Sequence, residues 1–391
     1  MILDSFRYVM PVRVEYGLGA AAKAGEELAG LGCKKPFIVT DRGVIGAGLL
    51  HYVTDSLEEK GLKYEIFDKV VGNPTDVIVH EGIDAYAASG CDSFIAVGGG
   101  SSIDTSKAIG MVYRNGGNVR EYDNDRPGTH PSPIPMDPLI TIPTTAGTGS
   151  SVTPYAVVTD TERHWKMSLC SAETGTFAKV ALIDPVMTAS MPGSLAAATG
   201  MDALTHAIEA ILSKNANVFS DLINIKAVEL IMKNLRQSVA NGGNLEARGA
   251  VLLGNVIAGW GFQQVGLGAA HALSHMLGGQ LNVPHGVGNA MMLPYVMEYN
   301  MVARLEKYPL LAQAMGLCTD GLSDVEIGDK VCAAVLRLSK DIGIPRLREV
   351  QGIDEANLPR YAELALLDGN TLNNPRIPTK EDYLELYKKA W

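Results

Sequence analysis

The sequence predicts a two-part α/β protein: residues 1–187 form a mainly parallel β-sheet covered by helices on both faces, and residues 188–391 are all helical. Three observations predict it. With 391 residues, 47% of them hydrophobic, the chain holds more apolar material than one core usually encloses. Up to about residue 187, short β-branched runs alternate with longer stretches of helical spacing, the punctuation of βαβ units. After Asp184-Pro185 the strand signal fades, and from Ser194 onward helix follows helix.

The expected strands are residues 12–16, 36–40, 64–67, 94–97, 139–142, 155–159 and 180–183, each a run rich in Val, Ile, Leu or Phe and bounded by turn formers. Residues 20–31, 55–61 and 77–89 carry the i, i+3, i+4 spacing of helices, and so does TSKAIGMV after Asp104. Residues 123–138, rich in Pro and Asp, read as a surface loop. In the second part, helices are expected at 195–213, 221–240, 245–261, 286–302, 324–341 and 380–390. Ser323 with Glu326, and Thr379 with Asp382, have capping-box spacing at two of those starts. No internal repeat or low-complexity segment interrupts them.

Composition narrows the function. A net charge of −10 without a Lys/Arg block argues against nucleic acid and anionic membranes as partners and favours a small molecule. The five cysteines (Cys33, Cys91, Cys170, Cys318, Cys332) are odd in number and never paired as C-x-x-C, as expected of reduced thiols in a cytoplasmic protein. The first residues, MILDSFRYVMPVRVEYG, lack the apolar core of a signal peptide, and no run of about 18 apolar residues could span a bilayer.

Two loops in the first part suit phosphate. The strand at 94–97 runs into Gly98, Gly99, Gly100, Ser101 and Ser102, where glycines admit a ligand close to the backbone and a helix N-terminus follows; a plain tight turn is the competing reading. The strand at 139–142 leads into Pro143, Thr144, Thr145 and the small residues after them, a second such loop at a strand end. Asp41, ending the strand at 36–40, is placed either to cap a helix or to accept from an adenosine ribose. In the second role it would repel a 2′-phosphate and favour NAD(H) over NADP(H).

The second part points to a metal. His271 and His275 stand one helical turn apart in a glycine-rich apolar run, His285 follows a Gly-Gly break and a Pro that return the chain, and Asp202 and His206 are i and i+4 on an apolar helix. These five are the candidate ligands. One carboxylate with imidazoles and no thiolate suits Fe(II) or Zn(II) in an open catalytic site.

The motifs VEYG, IVTDRG, GNPT, GGGSSIDTSKA, TIPTTAGTGSSVT, ATGMDALTHAIEA, HALSHMLGG and VPHGVGNAMMLPYVMEYN run nearly end to end, and with them the chain resembles the iron-dependent (group III) alcohol dehydrogenases, a family that includes propanediol and lactaldehyde enzymes. The resemblance implies the dehydroquinate synthase-like architecture of that family, with an N-terminal α/β dinucleotide domain, a C-terminal helical metal domain and a site in the cleft between them. It implies a homo-oligomer, a dimer or a multiple of dimers. The implied reaction is hydride transfer between NAD(H) and a small primary alcohol or diol and its aldehyde.

Carried over residue by residue, the resemblance makes Asp202, His206, His271 and His285 the ligands of Fe(II), with Zn(II) as the alternative, and moves His275 beside the metal as a proton-transfer group. It puts Asp41, Asn73, Gly98, Gly99, Gly100, Ser101, Ser102, Thr144, Thr145, Val157, Lys166 and Leu195 on the cofactor, and Phe262 and Asn370 in the substrate pocket. TERHW, just before Lys166, departs from the family pattern. A lyase of the dehydroquinate synthase type would need a basic pocket, and the metal motifs are poor in Lys and Arg. A non-catalytic NAD-binding protein would have no use for the metal ligands.

Overall fold

The computed structural model describes residues 5–124, 126–171 and 175–391. Among these the chain divides into two compact units, one spanning Met10–Met191 and the other joining residues 5–9 to Pro192–Trp391.

The first unit contains β1 (Arg13–Tyr16), β2 (Pro36–Asp41), β3 (Glu65–Val70), β4 (Ser93–Gly98), β5 (Leu139–Pro143), β6 (Ala156–Asp160), β7 (Trp165–Leu169) and β8 (Val180–Ile183). Its helices are α1 (Ala24–Gly30), α2 (Arg42–Gly46), α3 (His51–Glu59), α4 (Asp76–Ser89) and α5 (Gly100–Asn115). Six strands form one parallel sheet in the order β1-β8-β5-β4-β2-β3. Its four inner strands, β8, β5, β4 and β2, are buried on both faces, which explains their unbroken apolar runs. Register puts Ile38 beside Ile95 and Ile95 beside Ile140, and this row packs on Leu28 of α1 and on Val53 and Leu57 of α3. On the other face Phe37 and Phe94 pack against Tyr86 of α4, with ring centroids 5.4 and 4.3 Å apart. Met187, in the 3₁₀ turn after β8, belongs to the first of these cores and keeps that turn with the sheet. Because the strands are parallel, Asp41, Gly98 and Pro143 all end at one edge.

Residues 155–159 were expected beside the other strands, but β6 pairs antiparallel with β7 as a separate hairpin. Its burial alternates, so its pattern differs from that of the doubly buried strands. The helix expected at 20–31 opens as a 3₁₀ turn, Ala20–Lys23, before α1.

The helical unit contains α6 (Gly193–Leu212), α7 (Val218–Ala240), α8 (Leu245–Phe262), α9 (Ala269–Leu281), α10 (His285–Arg304), α11 (Tyr308–Ala314), α12 (Asp324–Asp341), α13 (Leu358–Ala365) and α14 (Lys380–Ala390). α6 is buried almost throughout and packs against α7, α8 and α10. Both expected capping boxes form, at the starts of α12 and α14. Residues 5–9 join this unit through hydrogen bonds. Tyr8 Oη donates to the Trp260 carbonyl at 2.6 Å, and the Gln263 and Gln264 amides donate to the Val9 carbonyl at 2.9 and 3.1 Å. The expected break at Gly278-Gly279 is not where the chain turns. Both glycines stay inside α9, and the reversal is made by Asn282 at φ 56° followed by Pro284. Among the described residues no helix is long and apolar enough to cross a membrane.

Candidate metal centre and cofactor cradle

In the first unit the two glycine-containing loops lie against each other. Gly98 pairs with Pro143 across β4 and β5, and the Gly98 carbonyl accepts from Thr144 N at 2.9 Å. A Cβ on Gly100 would sit 2.5 Å from Thr148 Cγ2, and one on Gly99 would sit 3.2 Å from Thr145 Oγ1, so only glycine lets these loops close. Above Gly98 the space for a Cβ is 2.3 Å from Ser102 Oγ and 3.3 Å from Asp41 Oδ2. Ser102 Oγ is buried with no hydrogen-bond partner among the described residues, a polar atom turned toward that cradle. Asp41 fills the capping role: its Oδ1 accepts from Gly43 N and Val44 N at 2.8 and 3.0 Å, while Oδ2 stays beside Gly98. These features fit a bound pyrophosphate and ribose.

The other expected cofactor residues are spread more widely. Asn73 adopts φ 54° in the turn before α4, whose next residue, Pro74, accepts from Thr159 N at 2.7 Å. Val157 on β6 donates its N–H to Asp104 Oδ2 at 3.0 Å, and Lys166 faces Thr159 across the hairpin. Leu195 is exposed on the first turn of α6, in the helical unit.

Sequence reasoning missed the pair that holds the second loop. Lys107 is fully buried on α5, and its Nζ lies 2.7–2.9 Å from the Ser150 carbonyl, Ser150 Oγ and the carbonyls of Thr153 and Tyr155. Asp104 accepts from Ser150 Oγ. Burial pushes the Lys107 amine down to about 8, opposed by Asp104.

In the helical unit, one carboxylate oxygen of Asp202 and one ring nitrogen each of His206, His271 and His285 lie within 4.8 Å of one another. α6 presents Asp202 and His206 on its buried face, α9 brings His271, and α10 opens with His285. Close approach is enforced by Gly286, where a Cβ would meet the Ala198 carbonyl oxygen at 2.2 Å. Burial, helped by the neighbouring His206, holds His271 well below the ordinary imidazole value, so it is neutral with a lone pair to give. Asn289 Nδ2 stands 2.7 Å from Asp202 Oδ1, 3.0 Å from His271 Nε2 and 3.2 Å from His285 Nε2. One amide has two hydrogens for these three acceptors, and its own Oδ1 is buried without a partner among the described residues. A divalent cation would resolve that surplus of lone pairs, and a donor set of three imidazoles and one carboxylate would suit Fe(II) or Zn(II).

His275, the fifth residue of the spacing argument, is engaged elsewhere. Its Nδ1 lies 2.7 Å from Asp368 Oδ2, and its ring stacks on His285 at 5.1 Å. Phe262 stacks on His206 at 4.5 Å and is buried. Asn370 gives both its backbone and its amide N–H to Asp368 Oδ1 at 2.9 Å. Glu209, Asn289 and Asp368 were not singled out from the sequence. The signal for Glu209 was its place three residues after His206, on the same face of α6.

Comparison with known proteins agrees over the whole chain. The family model described as iron-containing alcohol dehydrogenase matches residues 11–185, and the C-terminal model of the Fe-containing alcohol dehydrogenase family matches residues 196–391. The chain is 42% identical to lactaldehyde reductase of Escherichia coli (strain K12), over 98% of this chain and 99% of the relative. It is 40% identical to 1,3-propanediol dehydrogenase of Klebsiella pneumoniae, over 99% of each, and 38% identical to the NAD-dependent methanol dehydrogenase of Bacillus methanolicus, over 98% and 99%. The crystal structure of a 1,3-propanediol oxidoreductase superposes with a TM-score of 0.94 at 39% identity, over 99% of this chain and 100% of the other.

Proposed function

The chain belongs to the iron-containing alcohol dehydrogenase family, and from that premise we propose that it moves a hydride between NAD(H) and a small primary alcohol or diol and the matching aldehyde. The observation that carries this reading is the convergence of Asp202, His206, His271 and His285. These four residues would hold the cation, Fe(II) in our reading, with Zn(II) accepting the same donors. When bound, the cation supplies Lewis acidity that favours ionisation of an alcohol hydroxyl near neutral pH, and NAD+ supplies the hydride acceptor.

The chain's own residues supply the rest. His275 gives its Nδ1–H to Asp368, so its Nε2 keeps a lone pair, takes the hydroxyl proton and returns it in the reverse direction. Phe262 forms an apolar wall beside His206 that keeps water from the reacting carbon, and Asn370 acts on the pocket through Asp368. Gly98, Gly99, Gly100, Ser101 and Ser102 receive the pyrophosphate, with Thr144 and Thr145 from the second loop. Asp41 Oδ2 takes the ribose hydroxyl and disfavours a 2′-phosphate. Asn73, Val157, Lys166 and Leu195 complete the cofactor set. The names of the relatives, for propanediol, lactaldehyde and methanol, support short alcohols as the substrate class. The five free cysteines support a reducing, cytoplasmic setting, and a homo-oligomer, dimer or multiple of dimers, follows from the family reading.

Purified protein is incubated with NAD+, Fe(II) and a panel of short primary alcohols and diols, and NADH is followed. His206→Ala and His285→Ala should lose both bound metal and NADH formation. Full activity of either variant without metal overturns the reading.

A further inference from the structure

We propose that Glu209 is a positioning residue for the metal site, its carboxylate fixing His271 in one ring orientation with the proton on Nδ1, so that Nε2 is the donor atom. The proposal rests on the metal reading of Asp202, His206, His271 and His285.

Glu209 is 3% exposed on an otherwise apolar stretch of α6, where an unpaired carboxylate would be costly. It is fully engaged. Oε2 lies 2.5 Å from His271 Nδ1 and accepts from Gly268 N at 3.1 Å, and Oε1 accepts from Ala270 N at 2.7 Å. The two backbone donors belong to the N-terminus of α9, the helix that carries His271. One carboxylate therefore fixes both the ring and the helix beneath it. With Nδ1 donating, the lone pair of His271 lies on Nε2, the atom found 3.0 Å from Asn289 Nδ2 in the centre of the cluster. The approach needs glycine at 268, where a Cβ would stand 3.1 Å from Glu209 Oε1 and 2.8 Å from Asn374 Oδ1. Asp202, His206 and Glu209 fall at i, i+4 and i+7, so one face of α6 supplies two ligands and the group that orients a third.

Gln cannot replace this group. It has one acceptor oxygen, and whichever way the amide turns, its NH₂ meets either Ala270 N–H or the Gly268 and His271 donors. Asn374→Ala is the matched control. It removes another acceptor at the start of α9, from Ala269 N at 3.1 Å, together with bonds to Asn300 and Arg376, without touching His271.

The full chain, stripped of metal, is titrated with Co(II) against a competing chelator, and folding is followed by circular dichroism. We expect Glu209→Gln to bind Co(II) about 10- to 100-fold more weakly than the wild type, with an altered Co(II) absorption spectrum, and Asn374→Ala to bind within about threefold of it. Wild-type affinity in Glu209→Gln overturns the proposal, and so does an equal loss in Asn374→Ala, which would reduce Glu209 to a helix cap. If Glu209→Gln does not fold, ¹⁵N-imidazole NMR of the Zn(II)-loaded wild type decides: a proton on His271 Nδ1 supports the proposal, and a proton on Nε2 overturns it. Failure of the metal reading itself is distinct, because then the wild type takes up no Co(II), or His285→Ala binds it unchanged.

Discussion

The buried Asp368 carboxylate pairs with the half-buried His275, Nδ1 standing 2.7 Å from Oδ2 and Asn370 closing the far oxygen through two N–H donors at 2.9 Å. Burial works against the Asp368 charge, but His275 and Asn370 more than offset it and hold the carboxyl below its ordinary value. The group is thus a fixed anion that orients the imidazole and selects its tautomer. Asp368→Asn should lower kcat by about 10²-fold, the scale of a positioned acid–base group, while bound metal stays at the wild-type level. His275→Ala should do the same, and the double variant should be little worse than either single one, since the two act as a unit. Steady-state kinetics with metal analysis checks this. Loss of metal in His275→Ala would return that histidine to the ligand set.

Lys107 ties α5 to the second cofactor loop with one buried amine facing four oxygen atoms. Lys107→Met keeps the stem but leaves those oxygens and the buried Asp104 without their cation. Leaving buried acceptors without their charged donor costs about 1–3 kcal/mol. The loop that should slacken, residues 147–155, is packed on Gly100 through Thr148, so NADH should bind at least about tenfold more weakly even where the variant is folded. Fluorescence titration of NADH tests it, and unchanged affinity would show that the tether stabilises the unit without shaping the cradle.

Much of this was legible in the sequence because the signals were local. Doubly buried parallel strands must be continuous apolar runs, and a helix must put residues four apart on one face, so the sheet, α6 and the Asp202–His206 pair could be read directly. The hairpin partner β7 could not. Its strand is half-buried, and its pairing with β6 depends on contacts made elsewhere. For the reversal before His285 the sequence points to the two glycines and the following Pro, because glycine is the commonest helix terminator; Pro284 does stand at the turn, yet the left-handed residue is Asn282. The groups behind the histidines were hidden for another reason. Glu209 and Asp368 lie 62 and 93 residues from the rings they orient, and no spacing rule reaches across such gaps.

The Asp160 carboxylate, 1% exposed, pairs with Arg163 and lies 3.5 Å from Arg120. Burial raises its pKa, but the Arg163 side chain and the backbone N–H groups of Arg163 and Glu162 outweigh burial and leave it below the ordinary value. A depressed folded-state pKa means that the contribution is complete above the unfolded value, about 3.9, and is lost as pH falls through the lower folded one. Asp160→Asn should therefore be less stable than the wild type at neutral pH, by about 1–3 kcal/mol with the arginines partly in water, and the gap should narrow below about pH 4. Urea unfolding at a series of pH values checks both points, and a gap constant down to acid pH would rule out the ionic origin.

Gly286 follows His285 at the start of α10, and its Cα faces the Ala198 carbonyl. An added Cβ would lie 2.2 Å from that oxygen, 2.7 Å from its carbon and 3.3 Å from Asp202 Cβ. A backbone carbonyl inside α6 cannot turn aside as a side-chain tip can, so in Gly286→Ala the two helices must separate. The separation acts where His285 Nε2 stands 3.5 Å from Asp202 Oδ1, and it removes His285 from the other three donors. Overpacking of this kind costs about 1–3 kcal/mol in stability. The larger effect should be on metal, with affinity falling at least about tenfold because a four-donor site then offers three in the right geometry. Gly46→Ala is the control, since nothing lies within 4 Å of its added methyl, and it should match the wild type in metal content. If Gly286→Ala held Co(II) as tightly as the wild type, the close contact of α10 with α6 would not be what brings His285 to Asp202.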